Sequence, residues 1–231
     1  LEYPKELFVS DFYFRQLQVG PAQNFCYLIG DRSKKECIVV DAAWEIDRIV
    51  EQAQSEDMNI VGAAVSHFHP DHCGGHLWGH DIEGLAELNA KLHVPIYANK
   101  HEIEGLCVVT GLSKSDFKCC ESGDDISCGN VHIKTIHTPG HTPGSQCFLV
   151  QDSLVSGDTL FLSGCGRVDL PGGNSEQLFE SLQNKIKKLP KGTVLYPGHH
   201  YDRETHATLE RVMAINPYLQ VNSLQEWNEI R

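Results

Sequence analysis

No stretch of this 231-residue chain comes near the roughly 18 uninterrupted apolar residues that a membrane-spanning helix needs, so no membrane span is expected. Basic residues are also in short supply: 19 Lys and Arg stand against 31 Asp and Glu, a formal charge of −12. That balance argues against the clustered basic face that nucleic acid or an anionic membrane surface requires, so neither is expected as a partner. There is no Cys-x-x-Cys spacing, no repeat and no linker. The nine cysteines, at 26, 37, 73, 107, 119, 120, 128, 147 and 165, are odd in number and scattered through apolar or turn contexts. Mostly buried, reduced thiols and a cytoplasmic location are therefore expected, with Cys119-Cys120 as the pair most open to oxidation. The chain opens on Leu1 without a basic segment leading into an apolar run, so no export signal is read there.

What is present is globular in character, with 41% apolar and 22% charged residues, and a single domain over 1–231 is expected. Beta-branched and aromatic residues predict strands at Phe12 to Val19, Asn24 to Ile29 and Glu36 to Val40. Ile46, Ile49, Val50 and Ala53 recur at helical spacing within Glu45 to Gln54, and a buried strand follows from Asn59 to Ser66. Helices are expected over 82–93 and 100–110 around a short strand at Pro95 to Ala98, with a turn-rich stretch from Gly123 to Asn130. Strands then resume at Val131 to Ile136, Gln146 to Val150 and Leu154 to Ser156. Ser175 to Leu189 reads as an amphipathic helix capped by Asn174 or Ser175, and Thr193 to Tyr196 as a last strand. A helix near 205–215 and a polar tail complete the chain. This order suggests an α/β fold of two mixed sheets face to face with helices outside.

The chemistry concentrates in His67-Phe68-His69-Pro70-Asp71-His72, where the strand Asn59 to Ser66 ends. Imidazoles at i and i+2 leave a strand end on the same side, and Asp71 and His72 turn into the next element. Packing alone gives no reason for three His and an Asp within six residues, whereas zinc and similar borderline metals prefer neutral imidazole plus carboxylate. Three further donors each follow a glycine: His141 in Thr138-Pro139-Gly140-His141-Thr142-Pro143-Gly144, Asp158 in Ser156-Gly157-Asp158-Thr159, and His199 in Tyr196-Pro197-Gly198-His199. Together these donors have the stoichiometry of a site for two ions bridged by a carboxylate. Asp41 could orient that site or merely cap a turn. His200 is a candidate neighbour, and Cys73 has no base partner in view that would make it a nucleophile.

These motifs resemble the metallo-β-lactamase superfamily over nearly the whole chain. The resemblance implies a four-layer αββα sandwich of two mixed β-sheets with external helices. It also implies one metal on His67, His69 and His141, a second on Asp71, His72 and His199, and Asp158 with a water or hydroxide bridging them. The cofactors so implied are two divalent ions, zinc first, with iron or manganese as alternatives. Gly157-Asp158-Thr159-Leu160-Phe161 and Gly164-Cys165-Gly166-Arg167 are similar to the glyoxalase II and persulfide dioxygenase branch, both of which act on glutathione derivatives. By that similarity Arg167 and Tyr201 would lie near a thiol-conjugate pocket.

The reaction expected first is hydrolysis of a glutathione-type thioester, a small and anionic substrate, with Asp71 orienting the attacking water or taking its proton. About 30 residues follow His199, fewer than the C-terminal helical region of glyoxalase II proper. The alternative is a persulfide dioxygenase, with one iron on His67, His141 and Asp158, although the span from His72 to His141 is longer than that family's. Lactones, β-lactams or phosphodiesters are further hydrolytic substrates of the superfamily, and a non-catalytic binding module would have lost donors that are all present here. The segment from about Trp78 to Cys120 is expected to overhang the cleft and decide substrate size, or else to pack through Trp78, Leu85, Leu88 and Leu112 against a second copy in a homodimer.

Overall fold

A computed structural model describes residues 11–230, so the reading of the N-terminus from Leu1 lies outside the described residues. Two six-stranded sheets dominate. The first runs, in spatial order, Phe12–Val19, Asn24–Asp31, Glu36–Val40, Asn59–Ala64, Ile96–Asn99 and Phe117–Cys120. Its first two pairings are antiparallel and the rest parallel. The second runs Ala207–Thr208, Val194–Pro197, Ser153–Gly157, Gln146–Val150, Val131–His137 and Asp125–Cys128, with one parallel pairing between its second and third members.

The alternation of side chains along a strand explains how these sheets stack. In Asn24–Asp31, Phe25, Tyr27 and Ile29 face a layer shared with Ile133, Phe148, Val150 and Val155 of the second sheet. Cys26 and Leu28 point the other way, into a layer with Ile46 and Ile49 of the helix Ile46–Ser55 and with Leu85, Leu88, Ile103 and Leu106 of the helices Leu85–Leu92 and Ile103–Thr110. Such a strand is apolar throughout because both its faces are covered. Outside the second sheet lie Ser175–Asn184, Leu209–Ile215 and Leu224–Ile230, packed through Leu178, Leu182, Leu209, Val212 and Trp227. The result is the four-layer αββα sandwich, and burial of each large core side chain contributes about 1.5–3 kcal/mol.

Several expectations need correction. Of the segment expected to overhang the cleft, Trp78 at its start reaches it but most of the rest is structural: Ile96–Asn99 and Phe117–Cys120 extend the first sheet, and Leu85 and Leu88 are fully buried in the chain's own core, with Leu112 packed against it. Leu85 and Leu88 are therefore core residues, not surface contacts. Within the stretch expected to be turns, Asp125–Cys128 pairs with Val131–His137 across Gly129-Asn130. The helix from Ser175 stops at Asn184 and gives way to a short 3-10 turn, Ile186–Lys188; its cap is Asn174, whose side chain accepts from the Gln177 N–H at 2.9 Å. The C-terminal tail forms the helices Pro217–Gln220 and Leu224–Ile230, the second anchored by the fully buried Trp227.

Cys119 is exposed and Cys120 buried, and none of the nine cysteines is in a disulfide. Among the described residues no helix is long and apolar enough to cross a membrane.

Candidate metal centre

The strand Asn59–Ala64 delivers His67 and His69 to the rim of the first sheet, and the one-turn helix Pro70–Cys73 then swings Asp71 and His72 into the same space. From the second sheet come His141 on the turn after Val131–His137, Asp158 at the end of Ser153–Gly157 and His199 just beyond Val194–Pro197. Two glycines make this approach feasible. Gly157 has φ +48°, and a Cβ on Gly198 would lie 2.4 Å from Asp158 Oδ1 and 2.9 Å from His72 Cε1. A side chain at Gly198 would force Asp158 and His72 apart, and one at Gly157 would be strained and would strike Ser66.

The donor atoms of His67, His69 and His141 form one group and those of Asp71, His72 and His199 another, each with its atoms within 4.8 Å of one another. Asp158 stands between them. Its carboxylate lies 3.3 Å from His72 Nε2, 3.6 Å from His141 Nε2 and 3.4 Å from His199 Nε2, so it touches histidines of both groups.

Four of the histidines, His67, His72, His141 and His199, are buried, and each has Nδ1 engaged. Asp41 Oδ2 is 3.0 Å from Nδ1 of His72, the Arg167 carbonyl 2.6 Å from that of His141, and the Ala22 carbonyl 3.0 Å from that of His199. These partners are acceptors, so the Nδ1 atoms carry the protons. Ser66 Oγ donates to Asp41 Oδ2 at 2.7 Å and so accepts from His67 Nδ1 at 2.9 Å. Nε2 is thereby the ring nitrogen left facing the centre, which is how protein-bound metal ions are commonly ligated.

Electrostatics divide the cluster. Burial, then the neighbouring His72 and His69, push His67 well below the usual imidazole range. Burial also lowers His141 and takes His69 down to about 4. These three are neutral imidazoles at neutral pH. For His72 and His199 burial opposes protonation, but Asp158 outweighs it and raises both, with Asp71 assisting. Burial likewise opposes ionisation of Asp158, and His199 and His72 override it, so its carboxyl falls well below its ordinary range. Asp158 Oδ1 is nevertheless buried with no hydrogen bond of good geometry. An unsatisfied carboxylate oxygen among inward-facing imidazole nitrogens is a donor set suited to divalent cations, and the residues fit a pair of them.

Of the two readings of Asp41, the orienting one agrees with the geometry. Cys73 is buried with its Sγ against the Phe68 and His69 carbonyls, and burial raises its thiol well above the ordinary value, so it is no nucleophile. His200 turns away to Gln18 Oε1, 3.0 Å distant.

Two contributors carried no local sequence signal. Asn24 Nδ2 donates to Asp71 Oδ2 at 3.0 Å, while its Oδ1 accepts from Trp44 Nε1 at 3.1 Å. Glu102, fully buried, accepts from the Phe68 N–H at 2.7 Å, the Thr142 hydroxyl at 2.8 Å and the Gly144 N–H at 2.5 Å, tying the loop that carries His67 and His69 to the one that carries His141.

A cleft of about 480 Å³ opens over the centre, with Asp71, Asp158, His141 and His199 at its floor. Tyr201 lines it, stacked on His199 with ring centroids 4.5 Å apart. Arg167 lines it too, with its guanidinium bound to both oxygens of Asp169 at 2.8 and 2.7 Å.

Comparison with known proteins agrees with this architecture. The chain is 33% identical over 214 residues to a probable polyketide biosynthesis zinc-dependent hydrolase, BaeB, of Bacillus velezensis, covering 90% of this chain and 87% of that one. It is 32% identical over 188 residues to a hydroxyacylglutathione hydrolase of Dictyostelium discoideum, covering 77% of this chain and 62% of the relative. The crystal structure of ETHE1 from Myxococcus xanthus superposes with a TM-score of 0.80 at 26% identity, covering 94% of this chain and 89% of that one. The profile of the metallo-beta-lactamase superfamily matches residues 19–199, and the chain belongs to that superfamily, in the class of its metal-dependent hydrolases.

Proposed function

We propose that this protein is a thioester hydrolase of the glyoxalase II type that works with two divalent ions, zinc first among them. In this reading His67, His69 and His141 would hold one ion and Asp71, His72 and His199 the other, with Asp158 within reach of both groups. The observation that carries the proposal is the position of Asp158, within 3.6 Å of histidines from both donor groups. Two sets of three donors, with Asp158 reaching both, support a pair of ions.

Two divalent ions bound there would supply a nucleophilic water near neutral pH and a Lewis acid for the carbonyl under attack. The protein's own groups do the rest. Asp71 and Asp158 are the carboxylates that line the cleft, and Asp158 is committed to three histidines. Asp71, which contacts two histidines and whose Oδ2 the Asn24 amide holds in place, is the group to orient the attacking water and accept its proton. The thiolate departs without a strong general acid. Burial, then Asp158 and Asp71, raise the Tyr201 phenol above its ordinary value, so it keeps its proton and stands with Arg167 on the cleft wall as a substrate contact.

The test is a pair of substitutions assayed with thioester substrates. His67→Ala and His199→Ala should each lower kcat by at least about 100-fold, because each breaks one of the two donor groups. Mild and equal losses in both would overturn the assignment.

A further inference from the structure

Outside both large sheets, the strands Gly75–Leu77 and His80–Ile82 form a hairpin of their own. Its two turn residues, Trp78 and Gly79, have φ of +53° and +81°. That is the backbone of a two-residue hairpin turn in which both positions are left-handed, and Asn-Gly is the pair that suits it. A bulky tryptophan in the left-handed region is sterically disfavoured. Trp78 is also 72% exposed, whereas Trp227 is fully buried and Trp44 is bonded to Asn24. The fold thus gains little from Trp78 and bears both a strained backbone and an exposed indole. Strain of this kind, where the surrounding structure imposes it, points toward a functional site.

The location supplies the function. Leu77 and Trp78 line the same cleft as Asp71, Asp158 and His199, and Phe161 and Leu170 line it with them. Phe161 packs edge-on to Tyr201 with centroids 5.2 Å apart. Charge is scarce on these walls: among the described residues Arg167 is the one Lys or Arg that lines the cleft, and both oxygens of Asp169 already bond its guanidinium. A glutathione moiety brings two carboxylates to a wall whose guanidinium is already shared with Asp169, while an alkyl chain meets leucine, phenylalanine and an indole.

We propose that Trp78 is a specificity-determining residue that packs against an apolar acyl arm of the substrate, so that the cleft selects medium-chain acyl thioesters of an uncharged thiol over small hydroxyacyl thioesters of glutathione. The inference rests on the thioesterase reading and narrows its substrate. Chain length acts through burial of alkyl surface against the hairpin tip, and its loss raises KM more than it lowers kcat, because the arm is held alike in ground and transition states.

The experiment uses the zinc-loaded protein with acetyl, butanoyl and octanoyl thioesters of N-acetylcysteamine and with S-lactoylglutathione. For the wild type, kcat/KM should rise at least about tenfold from acetyl to octanoyl, and the octanoyl ester should exceed S-lactoylglutathione by a similar factor. Trp78→Asn supplies the residue that the turn prefers, so it should keep or raise Tm while the octanoyl-to-acetyl ratio falls about tenfold through KM. A flat series in the wild type, a preference for S-lactoylglutathione, or an unchanged ratio in Trp78→Asn would overturn the inference. Binding of the non-hydrolysable thioether S-octyl-N-acetylcysteamine, followed by tryptophan fluorescence with Trp78→Phe as the blank, separates this from the reaction itself. A saturable signal lost in Trp78→Phe upholds the apolar subsite even if no thioester is cleaved, a result that would overturn only the thioesterase reading. No signal would overturn the subsite whatever the hydrolysis assay gives.

Discussion

Oδ2 of Asp41 lies 3.0 Å from Nδ1 of His72, and the same carboxylate accepts from the backbone N–H and the hydroxyl of Ser66, both at 2.7 Å. Because the Ser66 hydroxyl in turn accepts from His67, this one side chain fixes the ring orientation of a histidine in each donor group. Replacing Asp41 by Ala should therefore weaken divalent metal binding about 10- to 100-fold while the donors themselves remain. Zinc competition against a chromophoric chelator measures this, and an affinity equal to wild type would contradict the orienting role.

Glu102 should make stability depend on pH. Burial raises its carboxyl to about 7, against the lowering effect of the Thr142, Gly144 and Phe68 donors. A folded-state pKa above the unfolded one means that the contribution is complete below the unfolded value and is lost as pH rises through about 7. Between pH 5 and 8 the wild type should lose up to about 3 kcal/mol relative to Glu102→Gln, the equivalent of this shift. Urea unfolding of the chelator-treated proteins tests the difference, and parallel pH profiles would refute it.

The C-terminal helix Leu224–Ile230 should be integral to the fold. Trp227 is fully buried, donates from Nε1 to Ser175 Oγ at 2.8 Å and packs on Phe179 with centroids 5.7 Å apart. Trp227→Ala should cost about 3–5 kcal/mol by denaturant titration, the usual range for emptying a buried aromatic site. A loss below about 1 kcal/mol would mean that the tail is only loosely attached.

Alkylation should sort the thiols by exposure. Cys119 is exposed, whereas Cys73 is buried and its thiol is raised well above the ordinary value. Iodoacetamide on the native protein should label Cys119 well before Cys73 and leave hydrolysis intact, which peptide mass mapping and an assay would show. Rapid labelling of Cys73 with loss of activity would contradict the inert-thiol reading.

Much of this was legible in the sequence for physical reasons. The strands around residues 12–40 declare themselves because beta-branched and aromatic residues fill them. His67 to His72 stand out because six consecutive residues carry four donors that packing does not require. Short or polar strands were missed: Asp125–Cys128 buries only Ile126 and Cys128, and the Gly75–Leu77 and His80–Ile82 strands are three residues each. The contributions of Asn24 and Glu102 depend on partners 47 and 34 or more residues away, so neither has a local signature. Arg167 and Tyr201 were placed at the cleft by family resemblance, but the pairing of Arg167 with Asp169 needs coordinates to see.

The central claim, a two-ion thioesterase, is tested most directly by elemental analysis of the purified protein together with paired assays on a thioester panel and on glutathione persulfide with an oxygen electrode. The account predicts two divalent ions per chain, zinc foremost, with thioester turnover and no oxygen uptake. One iron per chain with persulfide-dependent oxygen uptake and no thioester turnover would contradict it.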